Sequence, residues 1–181
     1  MALTGCSSLG LSSSDGLAEP SPEESSALTR LTLLPPAEGP DAVLLTQKVT
    51  LEAWGQQRQF LVVTRLLPEQ TQLVALLPTG QQLLSLEYDG DVLNQQTLPS
   101  VDIPGEEILA ILQFALWPQV SVRAHYPSSA GWQVVASDER RALLTPAGVR
   151  LDVSYLSDGL KVNNYQGDYR VWIQTLERKV L

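Results

Sequence analysis

The segment 104–117 limits the architecture more than any other part of the sequence. Pro104 suits the first position of a helix, Glu106 and Glu107 complement the positive end of its dipole, and Pro118 stops it. Between them Ile108, Ile111 and Ala115 form one apolar stripe at helical spacing, and Leu109, Leu112 and Leu116 form a neighbouring one. Phe114 and Trp117 extend apolar surface beyond both, and only Gln113 relieves the central and C-terminal part. A helix lying on one flat sheet buries a single stripe and keeps the rest polar. This helix must sit inside a strongly curved sheet, meet a second layer, or face an apolar guest.

Around it the chain reads as short β runs broken by turn signals, the pattern of an antiparallel sandwich or barrel. In 43–54, Val49, Leu51 and Ala53 alternate with Lys48, Thr50 and Glu52. The run 60–67 is apolar in both phases, which predicts a strand in mid-sheet covered on each side. Runs at 70–77, 82–88 and 91–98 follow, with Pro78-Thr79-Gly80 and the hairpin dipeptide Asp89-Gly90 between them. After Pro118, further strands are expected at 120–126, 132–136, 140–145, 149–156, 160–166 and 169–176. Val149, Leu151, Val153 and Tyr155 alternate with polar neighbours, as do Tyr169, Val171 and Ile173 against Arg170, Trp172 and Gln174. Links this short favour antiparallel pairing, since parallel strands need long crossovers. The expected fold is mainly β: a strongly curved antiparallel half-barrel of about ten strands around one central apolar helix.

Charge and composition remove several functions. Twelve basic against 20 acidic residues leave a net charge of −8. Nucleic acid needs a basic face, and a polybasic grip on anionic lipid is equally missing. One Cys and one His furnish neither a disulfide nor an ordinary zinc site, so no metal or cofactor is expected. No run approaches the roughly 20 apolar residues of a membrane-spanning helix.

The single Cys matters through its position. Leu3-Thr4-Gly5-Cys6 resembles a bacterial lipobox, in which small residues flank the scissile bond and the thiol receives a diacylglycerol. The basic and apolar stretches that ordinarily precede such a box are not in front of it, and we read Met1 as a late start or a trimmed front. A chance tetrapeptide is the alternative. Residues 7–27 are rich in Ser, Gly, Pro and Glu and contain no aromatic residue, so they read as a tether. As a flexible linker of about 20 residues this spans roughly 25 Å. The expected division is therefore 1–27, lipobox and tether, and 28–181, a folded body.

Taken with the lipobox and the single mid-chain helix, several motifs carry a resemblance. These are Leu34-Pro35-Pro36, Leu77-Pro78-Thr79-Gly80, Leu86-Glu87-Tyr88-Asp89-Gly90, Leu112-Gln113-Phe114-Ala115-Leu116-Trp117-Pro118, Asn163-Asn164-Tyr165 and Tyr169-Arg170-Val171-Trp172-Ile173. Over roughly 28–177 the body resembles the LolA/LolB group of lipoprotein carriers, and more closely an uncharacterised bacterial outer-membrane lipoprotein family with that fold. The resemblance implies an incomplete barrel closed by helical segments around a cavity for acyl chains. LolB has a protruding Leu in a Pro-Leu-Gly turn that helps deliver cargo into the bilayer; here Thr79 stands at that place.

No catalytic residues emerge, and an enzyme is not expected. His125 lies at the end of an expected strand with no Ser, Cys or Asp pattern of a triad around it. Asp89-Gly90-Asp91 lacks the later ligands of a calcium loop. Glu23-Glu24 and Glu106-Glu107 read as a solvated linker and a helix start; core packing is the default for the four Trp residues, with Trp172, in the phase opposite to Val171 and Ile173, the best placed to face a cavity or a partner. The expectation is an outer-membrane lipoprotein anchored through Cys6, facing the periplasm, with Ser7 after the Cys compatible with outer-membrane sorting. Its body binds an acyl chain or other hydrophobic ligand. Phe60, Leu86, Ile111, Leu112, Phe114, Leu116, Trp117 and Trp172 are the candidate cavity residues. The alternative is an assembly lipoprotein with a filled interior that docks on an envelope protein partner.

Overall fold

The structure, a computed structural model, describes residues 30–99 and 101–181. Ten strands appear: β1 Val43–Ala53, β2 Gln56–Leu67, β3 Gln70–Leu76, β4 Gln82–Tyr88, β5 Leu93–Thr97, β6 Gln133–Ala136, β7 Arg140–Thr145, β8 Gly148–Leu156, β9 Gly159–Asn164 and β10 Tyr169–Val180. Two helices, α1 Gly105–Leu116 and α2 Gln119–His125, lie between β5 and β6. All strands form one sheet in the order β5-β4-β3-β2-β1-β10-β9-β8-β7-β6, and every neighbouring pair is antiparallel. Each half is a meander. The connection between the halves leaves one edge strand, crosses the inner face as α1 and α2, and rejoins the sheet at the opposite edge.

The expected half-barrel around a central apolar helix is present. Its curvature follows from how α1 divides its side chains. Ala110, Ile111, Phe114 and Ala115 pack with Val43, Leu45 and Leu66 and with residues of the β7–β9 half. Leu109 and Leu112 pack instead with Val62, Leu73, Leu84 and Leu86 of the other half. One open sheet satisfies two stripes because it bends around the helix. Fully burying each of these larger side chains stabilises the fold by about 1.5–3 kcal/mol.

The third side of α1 is covered by the chain itself. Residues 30–35 run extended along the helix as a strap, and Leu31 and Leu34 are buried in the larger cluster. Gln113, fully buried, accepts from the Leu34 N–H at 2.8 Å and donates to the Leu34 carbonyl at 2.7 Å. The Tyr126 hydroxyl likewise accepts from Thr32 N–H and donates to its carbonyl, both at 3.1 Å. Trp117 Nε1 donates to the Pro35 carbonyl at 3.0 Å. The C-terminal carbonyls of α1, which have no partner within the helix, are met from the sheet: Arg141 donates to Phe114 and Trp117, and Tyr155 to Ala115.

Two sequence expectations are corrected. Segment 120–126 is not a strand but the helix α2. Val120, Val122 and Ala124 give period-two alternation, yet Pro118 starts a helix here, with Val122 and Tyr126 buried four residues apart and Val120 exposed. Tertiary context outweighs β-branched propensity in so short a segment. Strand β2 is covered on one face only: Val62, Thr64 and Leu66 point inward, whereas Leu61 and Arg65 are exposed on the outer face.

Candidate ligand site at the mouth of the half-barrel

The N-terminus of α1 reaches one rim of the sheet, and the side chains there surround a cavity of about 330 Å³. Gly105 is required by close approach. A Cβ at this position would lie 2.0 Å from Gln95 Oε1 and 2.6 Å from Leu86 Cδ2, so the helix begins directly against β4 and β5. Gln95 Nε2 donates to the Ile103 carbonyl at 2.8 Å and fixes the link that leads into the helix. Leu31 of the strap, Ile103 and Pro104 provide the apolar part of the wall.

The polar part is built from two acids and two guanidinium groups. Arg30 grips Glu106 through both carboxylate oxygens, at 2.8 and 2.7 Å. Glu107 accepts from Asn164 Nδ2 at 2.7 Å and from Arg150 Nη2 at 3.2 Å. Arg150 is 94% removed from solvent, also donates to Asn164 Oδ1, and its Nε has no partner among the described residues. The two ion pairs cancel in charge. Beside them burial pushes the Tyr169 hydroxyl up to about 12, against the opposing effect of its hydrogen bond with Asn164. The wall thus offers hydrocarbon on one side and hydrogen-bonding groups on the other. Its described lining includes no Ser, Thr, Cys, Lys or His, and the described residues hold no group of three or more His, Cys, Asp or Glu able to bind a metal.

Residues 44–177 match the model of a family described as a protein of unknown function, DUF3261. The chain belongs to this family. The matched range lies inside the 28–177 over which the sequence resembles an uncharacterised family, and it covers the sheet apart from Val43 of β1 and the last residues of β10. No curated protein matches. Among solved structures the family member is similar to the crystal structure of a "putative outer membrane lipoprotein-sorting protein domain" from Vibrio parahaemolyticus, at 7% identity and a TM-score of 0.45, covering 77% of this chain and 85% of that one.

Within the family member, the candidate residues read from sequence fall into three places. Leu86 and Leu112 are buried together, with Phe60 and Leu116 half-buried beside them. Ile111, Phe114 and Trp117 belong to the larger cluster, which Leu116 also touches. Trp172 lies on the outer face of the sheet, where Lys161 Nζ sits 5.3 Å from its ring centre. Cys6 and the tether lie outside the described residues. None of the eight lines the mouth cavity, although Leu86 stands directly behind Gly105. The residues that do line it, Ile103 and Arg150 among them, gave weak sequence signals: a residue before Pro, and an Arg in the polar phase of a strand.

His125 is committed elsewhere. Its Nε2 lies 3.0 Å from Glu38 Oε2, and Ser121 Oγ donates to the same oxygen at 2.6 Å. That hydrogen bond, more than the His, holds the Glu38 carboxyl below the usual range. The hydroxyl proton goes to a carboxylate rather than to the imidazole, so the group ties α2 to the turn Pro36–Glu38. Asp89, weighed above as the start of a calcium loop, accepts from the N–H groups of Asp91 and Val92 at 2.9 and 2.8 Å and closes its own hairpin.

Proposed function

We propose that this chain is an outer-membrane lipoprotein, anchored through Cys6 with its body facing the periplasm, which takes up an acyl chain or similar hydrophobic guest at the mouth of the half-barrel. The observation that carries the reading is the mouth cavity itself. It is of ligand size, has an apolar wall, and is bounded on one side by a strap rather than by the sheet. A guest lying along Leu31 and Ile103 keeps its polar end among Arg150, Glu107 and the first turn of α1. The middle of α1 needs no guest, because the sheet and the strap already cover it.

The test uses a cis-parinaric acid titration of Cys6→Ser protein, which removes the anchor and its acyl chains. Uptake with a micromolar Kd is expected, and Ile103→Glu, on a link rather than in the core, should weaken it at least tenfold while leaving the melting temperature within a few degrees. An absence of uptake by the parent overturns the reading. In cells, Cys6→Ser should move the protein from the membrane to the soluble fraction, since an acylated Cys contributes about 0.8 kcal/mol per buried methylene.

One observation favours the second reading, an assembly lipoprotein that docks on an envelope partner: Phe114 and Trp117 are fully buried against the protein's own residues, so the interior is complete without cargo. Under that reading the probe does not bind, and lipid extraction from protein purified out of its native envelope yields only the anchor.

A further inference from the structure

The hairpin between β1 and β2 ends in Trp54-Gly55, and both residues have positive φ, at 50° and 70°. This is the pattern of a type I′ turn, for which Asn-Gly or Asp-Gly is the favoured pair. A bulky residue in the left-handed region is strained, and core packing does not compensate for it here. Against the core position expected of it, Trp54 is 87% exposed, because it occupies the tip of a turn, and a side-chain atom built on Gly55 meets nothing within 4 Å. The turn would form more readily with Asn, so the indole is retained for something outside the folded body.

Its position narrows what that is. Ala53 pairs with Tyr169, and Tyr169 with Asn164, so the β1–β2 and β9–β10 turns project from the same end of the sheet, about 10 Å apart at two strand spacings. The second turn carries Tyr165, which is also exposed. The first described residue, Arg30, sits at this end as well: it is bonded to Glu106, and the neighbouring Glu107 is bonded to Asn164. Twenty-nine residues of the sequence precede it, with Cys6 among them. Trp and Tyr are the side chains that settle at a bilayer interface, apolar ring inward and polar edge toward water.

We propose that Trp54 and Tyr165 form a membrane-contacting rim, which holds the end of the body from which the N-terminal segment leaves against a lipid surface. The proposal rests on the anchored reading for where the bilayer lies. One exposed indole binds weakly alone, but on an anchored protein the second contact becomes intramolecular and is favoured by the high local concentration.

The experiment reconstitutes the full-length lipidated protein into phosphatidylethanolamine–phosphatidylglycerol vesicles whose acyl chains carry bromine, a quencher of indole fluorescence at short range. The parent should lose clearly more tryptophan emission than in unbrominated vesicles. Trp54→Asn should abolish most of that loss while melting no lower than the parent, and Tyr165→Ser should reduce it. Equal quenching in the parent and Trp54→Asn, or none in the parent, overturns the proposal. So does a Trp54 shielded from acrylamide in native envelopes but unquenched in brominated vesicles, which would assign it to a protein contact. The soluble Cys6→Ser form, mixed with excess brominated vesicles, should retain Trp54-dependent quenching at several-fold lower affinity. This arm separates failure of the rim from failure of the anchor, which fractionation alone reports.

Discussion

Gln113 and Leu34 are joined by two hydrogen bonds, with the side-chain amide of the first matched to the N–H and carbonyl of the second. The pairing imitates one step of a β ladder between a helix and an extended strap. It explains why the one polar residue in the inner half of α1 is tolerated in an apolar core: every hydrogen-bonding atom of the amide head that faces Leu34 is used, and buried polar groups cost little only when paired.

Gln113→Leu keeps the volume and removes both bonds. Two buried backbone groups of Leu34 lose their partner, which costs about 1–3 kcal/mol each. Urea denaturation should show a loss of roughly 2–6 kcal/mol, and the Leu34 amide should exchange with deuterium far faster. A loss below the error of the measurement would mean that the strap is not held by Gln113.

Truncation separates the tether from the strap. A chain beginning at Ala27 is expected to melt within a degree or two of the full sequence. One beginning at Pro35 loses Leu31 and Leu34, both buried, and burial of two such side chains contributes roughly 3–6 kcal/mol. Calorimetry of the two truncations should therefore differ sharply.

Alkaline pH should unfold the protein through its buried tyrosines. Burial pushes Tyr126 and Tyr169 up to about 12, from an ordinary value near 10. The folded state thus prefers the protonated phenols. Their contribution is fully present below pH 10 and is lost as pH rises from about 10 to about 12, on the order of 2 kcal/mol for each tyrosine. Tyr126→Phe should flatten that decline, though it starts from lower stability because the Thr32 bonds are gone.

Two glycines should respond differently to Ala. At Gly159 a Cβ would lie 1.8 Å from the Ile173 carbonyl oxygen, a backbone atom that cannot step aside. Gly159→Ala is expected to cost roughly 3 kcal/mol or more. At Gly80, φ is +84° but nothing lies within 4 Å, so Gly80→Ala should cost about 1 kcal/mol from backbone strain alone. Comparable losses would contradict the registry of β9 with β10.

Strands were legible where alternation and a turn signal coincided: β4 with Asp89-Gly90, and β8 with Val149 to Tyr155. The helix 104–117 was legible as a helix and as one needing company on several sides. What covers its third side was not, because 30–35 has no periodicity and is held by backbone groups that the sequence does not distinguish. Segment 120–126 misled because Val120 and Val122 suit a strand, while the burial of Val122 with Tyr126 depends on partners outside the segment, Trp132 just beyond it and Thr32 far back along the chain. The mouth cavity was illegible for the same reason: it gathers residues from 30 to 150, drawn from the strap, the start of α1 and two strands of opposite halves, and only the tertiary fold brings them together.

The seam between β1 and β10 sets a timetable. Val43 lies opposite Val180, and Ala53 opposite Tyr169, so the centre of the sheet joins the first strand to the last. Each meander zips through local hairpins, but the seam closes a loop of nearly the whole body, which is slow. Until residues 169–180 are available, nothing joins the β6–β9 wall of α1 to the β1–β5 wall. A chain emerging N-terminus first through a narrow pore is therefore held as two half-sheets until its final strand is released, with apolar surface exposed and no native state within reach.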